Sequence, residues 1–198
     1  MIYLLRHGLD DEEYIGGWSA GDLTEEGKKQ VQQISKFIAL NNLDIEQIYS
    51  SDIKRAVSSS EIIGQELKLK PIYVKELREL DKGDLTGLLI KDAKRMYPEY
   101  FDNLDIYTRY PNGECMLDLY KRVKHLFTGL LEKDKTLIIT HRGVINMVYF
   151  LLNDIPLDMN KERFGVTHAS LHEIDPTNKL IRKLNNIGGI KWINLYLK

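Results

Sequence analysis

Apolar positions along this chain come in two patterns. Ile2-Tyr-Leu-Leu5, and Leu137-Ile-Ile139 within Thr136–Thr140, are apolar at consecutive positions, which predicts strands buried on both faces. Ile45–Tyr49 and the short Pro71–Val74 read as further strands. Longer stretches repeat apolar residues at helical spacing. Leu23–Asn41 carries Val31, Ile34 and Ile38 on one face, with Asp22 and Glu25 as a capping pair. Ser51 or Asp52 can cap a second helix running to about Leu67. Leu88–Tyr97, Glu114–Lys133 and Gly143–Leu152 complete the helices, and Ala169–Ile174 with Lys179–Leu184 reads as a hairpin around Asp175-Pro-Thr-Asn178. Alternating strands and helices predict an α/β fold, a three-layer α/β/α sandwich on a mostly parallel central sheet. Neither a repeat nor a low-complexity linker interrupts it, so residues 1–198 read as a single domain, with about 75–112 an irregular, cap-like segment holding Gly83, Gly87, Pro98 and Pro111.

Composition narrows the class without naming a chemistry. Of 198 residues, 43% are hydrophobic and 29% charged, which excludes global disorder. Lys and Arg number 28 against 29 Asp and Glu, a balance that argues against a nucleic-acid partner. Val144–Leu152, interrupted by Asn146, is far shorter than the ~20 residues of a membrane span, so no membrane partner is expected. The single cysteine, Cys115, cannot form an internal disulfide or a zinc ribbon, which points to a reducing cytoplasm. Trp192, Leu195 and Leu197 in Gly188–Lys198 suit docking on the chain's own domain, with a homodimer contact as the alternative.

In α/β folds ligands bind beyond the carboxyl ends of the strands. The first strand runs into Arg6-His7-Gly8, and the late strand into His141-Arg142-Gly143. A lone histidine there would be a strand cap; two similar clusters at two strand ends are a candidate site. Arg55 falls in the opening turn of a helix, where N–H groups and the helix dipole favour an anion. Either Glu76 or Glu79 can add a carboxylate, and the amides of Gly8 and Arg142 add donors. Guanidinium groups bind phosphate oxygens, a neutral histidine can attack phosphorus, and a carboxylic acid can protonate the leaving oxygen. No cofactor or metal is needed for such chemistry, because arginines supply the charge stabilisation.

Several segments carry a more specific signal. Leu4-Leu-Arg-His-Gly8, Gly17-Trp18 with Leu23-Thr24-Glu-Glu-Gly27, and Ser50-Ser-Asp-Ile-Lys-Arg55-Ala56 occur in that order. Leu77-Arg-Glu79-Leu-Asp-Lys-Gly83, Pro111-Asn-Gly-Glu-Cys115 and Thr140-His141-Arg142-Gly143 follow. The ordered set resembles the histidine phosphatase superfamily, of phosphoglycerate-mutase-like fold, in its small phosphatase branch. The resemblance implies a phosphatase acting on a small phosphorylated metabolite. His7 would be the nucleophile, Arg6, Arg55 and His141 the phosphoryl-holding groups, and Glu79, rather than Glu76, the proton donor. Gly8, Asp10, Glu13, Thr24 and Arg142 would lie around the substrate.

Some positions depart from the family pattern. Asp10 and Glu13 replace the usual Thr and Asn of RHGxTxxN, Arg142 stands where Gly is common, and Cys115 where Ser is usual. The acidic run Asp10–Glu13 disfavours a highly anionic ligand, so a single phosphate on a neutral or cationic body is expected, with Asp11 and Glu12 facing water. Three rival readings remain. A phosphoglycerate mutase-type phosphotransferase would pass the phosphoryl group to a hydroxyl instead of water. A metal hydrolase would need ligands such as His7, Glu79 and His141 beside repelling arginines, while His168 and His172 fall in a predicted strand. A non-catalytic phosphate-binding module would not need the full set of reactive groups. The Lys121-Arg122-Lys124 patch reads as a solvated helix face.

Overall fold

A computed structural model describes residues 1–102, 104–130 and 132–184. Its strands are β1 (Ile2–Arg6), β2 (Gln47–Ser50), β3 (Pro71–Tyr73), β4 (Thr136–Thr140), β5 (Leu171–Asp175) and β6 (Leu180–Lys183). Its helices are α1 (Glu25–Leu40), α2 (Lys54–Leu67), α3 (Ile90–Met96), α4 (Met116–Leu130) and α5 (Arg142–Asn153). The strands form one sheet in the order β3-β2-β4-β1-β5-β6. Pairing is parallel among β3, β2, β4 and β1, and antiparallel from β1 to β5 and from β5 to β6. The mostly parallel sheet is therefore as expected, with the hairpin closing one edge.

Strand side chains alternate between faces, and the two helix layers collect them separately. Ile2, Leu4, Ile138 and Ile174 pack with Leu119, Val123 and Phe127 of α4 and with Val144 and Val148 of α5. Tyr3, Leu5, Ile48, Leu137 and Ile139 pack with Val31, Ile34 and Ile38 of α1 and Ile63 of α2. That division is the physical reason Ile2–Leu5 of β1 and Leu137–Ile139 of β4 are apolar at consecutive positions: each strand has a core on both sides. Among the described residues, no helix is long and apolar enough to cross a membrane.

Helix starts differ from expectation in instructive ways. Thr24, not Asp22, caps α1: its Oγ1 accepts the Gly27 N–H at 3.0 Å and donates to the Leu9 carbonyl at 3.1 Å. Thr24 is thus spent on holding the loop after β1 against α1, and it does not line the site. A Cβ on Gly27 would run into the Leu9 carbonyl, and one on Gly8 into the Gly27 carbonyl, so this crossing requires both glycines. α2 has Ile53 at its N-cap and no side-chain cap. Asp52, an expected cap, instead pairs with Arg78 through two 2.6 Å bonds. Cys115 is buried before α4, its N–H and thiol both donating to Asp118 Oδ2 at 2.9 and 3.0 Å. The 75–112 segment consists of α3 and 3-10 turns at Lys75–Leu77, Gly83–Leu85 and Pro98–Tyr100. Gly188–Lys198 lies outside the described residues.

Because the Thr24 hydroxyl serves two backbone groups, Thr24→Ala is expected to lower unfolding stability by about 1 kcal/mol. Thr24→Ser should retain most of it. Urea denaturation followed by circular dichroism checks both, and equal midpoints for all three proteins would contradict the capping role.

Candidate active site

The site starts from the pairing of β1 with β4, whose register sets Arg6 opposite Thr140. The next residue on each strand is a histidine, and the His7 N–H donates to the Thr140 carbonyl at 3.0 Å. The two imidazoles consequently meet with ring centroids 5.1 Å apart, both buried. The end of β2 joins them: the Ser51 N–H donates to the Ile139 carbonyl, and Ser51 Oγ lies 2.9 Å from His141 Nε2. Arg55, in the first turn of α2, donates from Nε to His7 Nε2 at 3.3 Å. Its Nη groups are held by the Gly17 carbonyl at 2.8 Å and Ser19 Oγ at 3.2 Å.

These contacts fix the tautomer of His7. Its Nδ1 lies 2.7 Å from the Gly8 carbonyl, which can only accept, so Nδ1 carries the proton. Nε2 accepts from Arg55 and is therefore the bare nitrogen. Burial, with Arg55, His141 and Arg6 adding to it, holds His7 well below the ordinary imidazole pKa, so the ring is neutral near pH 7. His141 is lowered in the same direction by burial and by Arg55 and Arg6. Burial, followed by repulsion from Arg142, brings Arg6 down to about 10, which still leaves it charged near neutrality.

Asp10 turns inward, 3.3 Å from Arg55 Nε and 3.4 Å from His168 Nε2. Burial pushes its carboxyl up, but the His168 hydrogen bond and the charge of Arg55 outweigh that and hold it well below the usual range. His168 also lies 2.5 Å from Arg6 Nη2, and Arg6 Nη1 donates to the Val166 carbonyl at 3.0 Å. Among the described residues, His7, Asp10 and His168 could supply ligand atoms to a metal, all within 4.8 Å of one another. A cation there would sit against the guanidinium groups of Arg6 and Arg55, so the cluster suits an anion better.

Glu79 faces this group from the other side of the cavity. Its Oε2 accepts the Gly143 N–H at 3.1 Å and its Oε1 the Leu80 N–H at 2.9 Å. A Cβ at residue 143, the second residue of α5, would meet the Glu79 carboxylate, so a larger residue there would displace Glu79. Arg122 secures the Glu79 backbone, donating to the carbonyls of Glu76 (2.7 Å), Arg78 (2.8 Å) and Glu79 (3.2 Å). Glu114 grips the same guanidinium at 3.0 and 2.8 Å and accepts the Asp81 N–H at 3.0 Å. Arg122 is therefore a brace behind Glu79 rather than part of a solvated face. Trp18 Nε1 donates to the Glu79 carbonyl at 2.7 Å, with Arg78 stacked on its ring.

A cavity of ≈ 310 Å³ is lined by Arg6, His7, Asp10, Arg55, Glu79 and Arg142 among others. A model of the histidine phosphatase superfamily (branch 1) matches residues 2–186. The chain belongs to the histidine phosphatase superfamily. It is 30% identical over 180 residues to human 6-phosphofructo-2-kinase/fructose-2,6-bisphosphatase 3, covering 87% of this chain and 32% of that protein. The orangutan (Pongo abelii) protein of the same name gives 30% identity over 180 residues, 87% of this chain and 33% of the relative. The chain thus spans about a third of the length of these curated relatives. YhfR of Bacillus stearothermophilus shares the fold with a TM-score of 0.79 at 24% identity, covering 96% of this chain and 97% of that one. A mycobacterial glucosyl-3-phosphoglycerate phosphatase gives 0.74 at 22% identity, with 92% and 95% covered.

Within this histidine phosphatase superfamily site, Arg6, His7, Arg55 and Glu79 line one cavity, and His141 packs against His7 behind it. Other expected positions are corrected. The Gly8 N–H donates to Ser59 Oγ at 3.3 Å, so Gly8 contributes its carbonyl to His7 rather than an amide to a ligand. Glu13 is exposed and not among the cavity-lining residues, its N–H bonded to Asp11 Oδ1 and its carbonyl to the Ile90 N–H, whereas Asp11 and Glu12 line the cavity. Arg142 lines the cavity but is paired with Glu162 at 2.6 Å. Sequence reasoning set His168 aside as part of a predicted strand, although it lies in the turn before β5, and it missed Lys82, Lys161 and the bracing role of Arg122. The signal for His168 is its place just before β5, visible only once β5 is known to neighbour β1.

Buried neutral histidines also set the acid limit. His172, bonded to Tyr149 Oη at 2.9 Å and Ser170 Oγ at 2.8 Å, is lowered to about 3 by burial. An imidazole lowered on folding contributes stability above its unfolded value near 6.5, lost as pH falls through the folded value. Stability should therefore decline progressively from about pH 6.5 toward about pH 3. An NMR titration should show no charging of His172 between about pH 7 and about pH 5; a midpoint near 6.5 would contradict its burial as a neutral ring.

Proposed function

We propose that this chain is a metal-independent phosphomonoesterase that works through a phosphohistidine on His7. The observation that carries the reading is the tautomer of His7: Nδ1–H is tied to the Gly8 carbonyl, and the bare Nε2 lies among Arg6, Arg55 and Glu79. In the first step Nε2 bonds to phosphorus as the ester P–O bond breaks, and the acid form of Glu79 protonates the departing oxygen. Arg6 and Arg55 neutralise the equatorial oxygens, and Asp10 yields Arg55 to them. In the second step water attacks phosphorus, Glu79 takes its proton, and the N–P bond breaks to release inorganic phosphate. Membership of a phosphatase family supports the reaction class. A small phosphorylated metabolite fits the ≈ 310 Å³ cavity, and a reducing cytoplasm fits a buried Cys115 that forms no disulfide.

Hydrolysis of p-nitrophenyl phosphate by the wild type and three variants tests this. His7→Ala should lose at least about 1000-fold in kcat, and Glu79→Gln about 100-fold or more. Acid-labile phosphate should be trapped on the wild type and not on His7→Ala, and EDTA should leave the rate unchanged. Turnover by His7→Ala at the wild-type rate, or its loss in chelator, would overturn the reading.

Arg122→Lys keeps the charge but cannot bridge three carbonyls and Glu114 together. It should lower kcat about tenfold or more through a displaced Glu79, with KM changed less. An equal change in KM and an unaltered kcat would remove Arg122 from this role.

A further inference from the structure

The cavity has two unlike walls. Asp10, Asp11 and Glu12 form one, and Lys82, Lys161 and Arg142 stand on another. Arg142 is neutralised by Glu162, but neither Lys82 nor Lys161 has an ion-pair partner among the described residues. Residues 185–198 contain no Asp or Glu that could provide one. Burial, with Lys161 adding repulsion, brings the Lys82 ammonium down to about 8. Glu79 attracts both lysines and Glu162 attracts Lys161, but neither carboxylate is in ion-pair contact with them, and burial with mutual repulsion still disfavours the two charges; an anionic ligand relieves that cost.

Both lysines are presented from anchored backbone. Lys82 immediately precedes the Gly83–Leu85 3-10 turn, which is clamped against residues 111–114: the Asp84 N–H donates to the Pro111 carbonyl and the Glu114 N–H to that of Asp81. A Cβ on the adjacent Gly83 would run into the Pro111 carbonyl, which shows how closely the two segments meet. Asn146 of α5 donates from Nδ2 to the Lys161 carbonyl at 3.0 Å. The same two lysines also line a second hollow of ≈ 110 Å³ beside Tyr100, Phe101 and Tyr110. They therefore stand at the junction of the His7 cavity with an aromatic recess, where water screens their charge less.

We propose that Lys82 and Lys161 form a second anion subsite, which takes a carboxylate or phosphate group on the body of the substrate whose scissile phosphate lies at His7. The assignment of the scissile phosphate rests on the phosphomonoesterase reading above. Expectations drawn from the acidic run alone counted only one wall; the opposite wall selects a second negative group. Asp10–Glu12 then set the orientation, since an anionic body is repelled from their side and attracted to the lysines.

Three esters on one skeleton test this: glycerol 3-phosphate, 3-phosphoglycerate with a carboxylate, and glycerol 1,3-bisphosphate with a second phosphate. In the wild type, kcat/KM per phosphate should be at least about tenfold higher for one or both esters with an anionic body than for glycerol 3-phosphate. The larger gain identifies the group, carboxylate or phosphate. In Lys82→Met/Lys161→Met the preference should fall below about twofold, and Lys82→Arg/Lys161→Arg should retain it. No preference in the wild type, or one that survives the double Met change, overturns the subsite. Calorimetric binding of the three esters to His7→Ala carries the same comparison without turnover. Selective binding that needs the lysines, with no ester hydrolysed by the wild type, would keep the subsite and sink the phosphatase reading; unselective binding would sink the subsite alone.

Discussion

The site depends on the register between β1 and β4. Parallel pairing of Arg6 with Thr140 makes His7 and His141 the next residues out of two adjacent strands, so the sheet itself brings the rings together. A slip of one residue would exchange the faces of Ile2 and Leu4 with those of Tyr3 and Leu5, which belong to different cores. Packing on both faces of the sheet thus resists such a slip, and the geometry of the site is held by apolar contacts far from any charged atom.

Upon that scaffold the protein concentrates charge that it does not fully balance. Arg6 and Arg55 are buried, and Asp10 is the carboxylate in ion-pair contact with Arg55. A pair of buried guanidinium groups with a carboxylate lying between Arg55 and His168 is an anion site whose own acid stands where an incoming anion would compete. Burial first, and the same surplus of positive charge behind it, keep His7 and His141 neutral, so the conditions that bind an anion also preserve the imidazole lone pair.

Glu79 is placed by a different device. It comes from an irregular segment, and irregular backbone gains precision only from bonds outside itself. Arg122 and Glu114, from α4 and the turn before it, supply those bonds, while Gly143 brings the start of α5 within reach of the carboxylate. Glu79 and His7 are thus positioned by separate parts of the fold that meet across the cavity.

Much of this was legible in the chain. Consecutive apolar positions identified β1 and β4, helical spacing identified α1, α2, α4 and α5, and Arg6, His7, Arg55 and His141 were located from their strand and helix ends. Those features are local: a strand needs only its own apolar run, and a residue following it inherits its place. The ordered motifs added the choice of Glu79 over Glu76, which spacing left open. What sequence could not decide was which side chains spend their polar groups on the fold itself. Thr24, Gly8, Asp52 and Arg122 all carry suitable chemistry, but each is committed to a backbone or ion-pair partner distant in sequence. His168, Lys82 and Lys161 reach the cavity only because strand order and loop clamps put them there. Sequence by itself determined the strands, the helices and the arginines and histidines at their ends. Tertiary structure decided which remaining charges face the ligand, because that depends on long-range partners that no local pattern encodes.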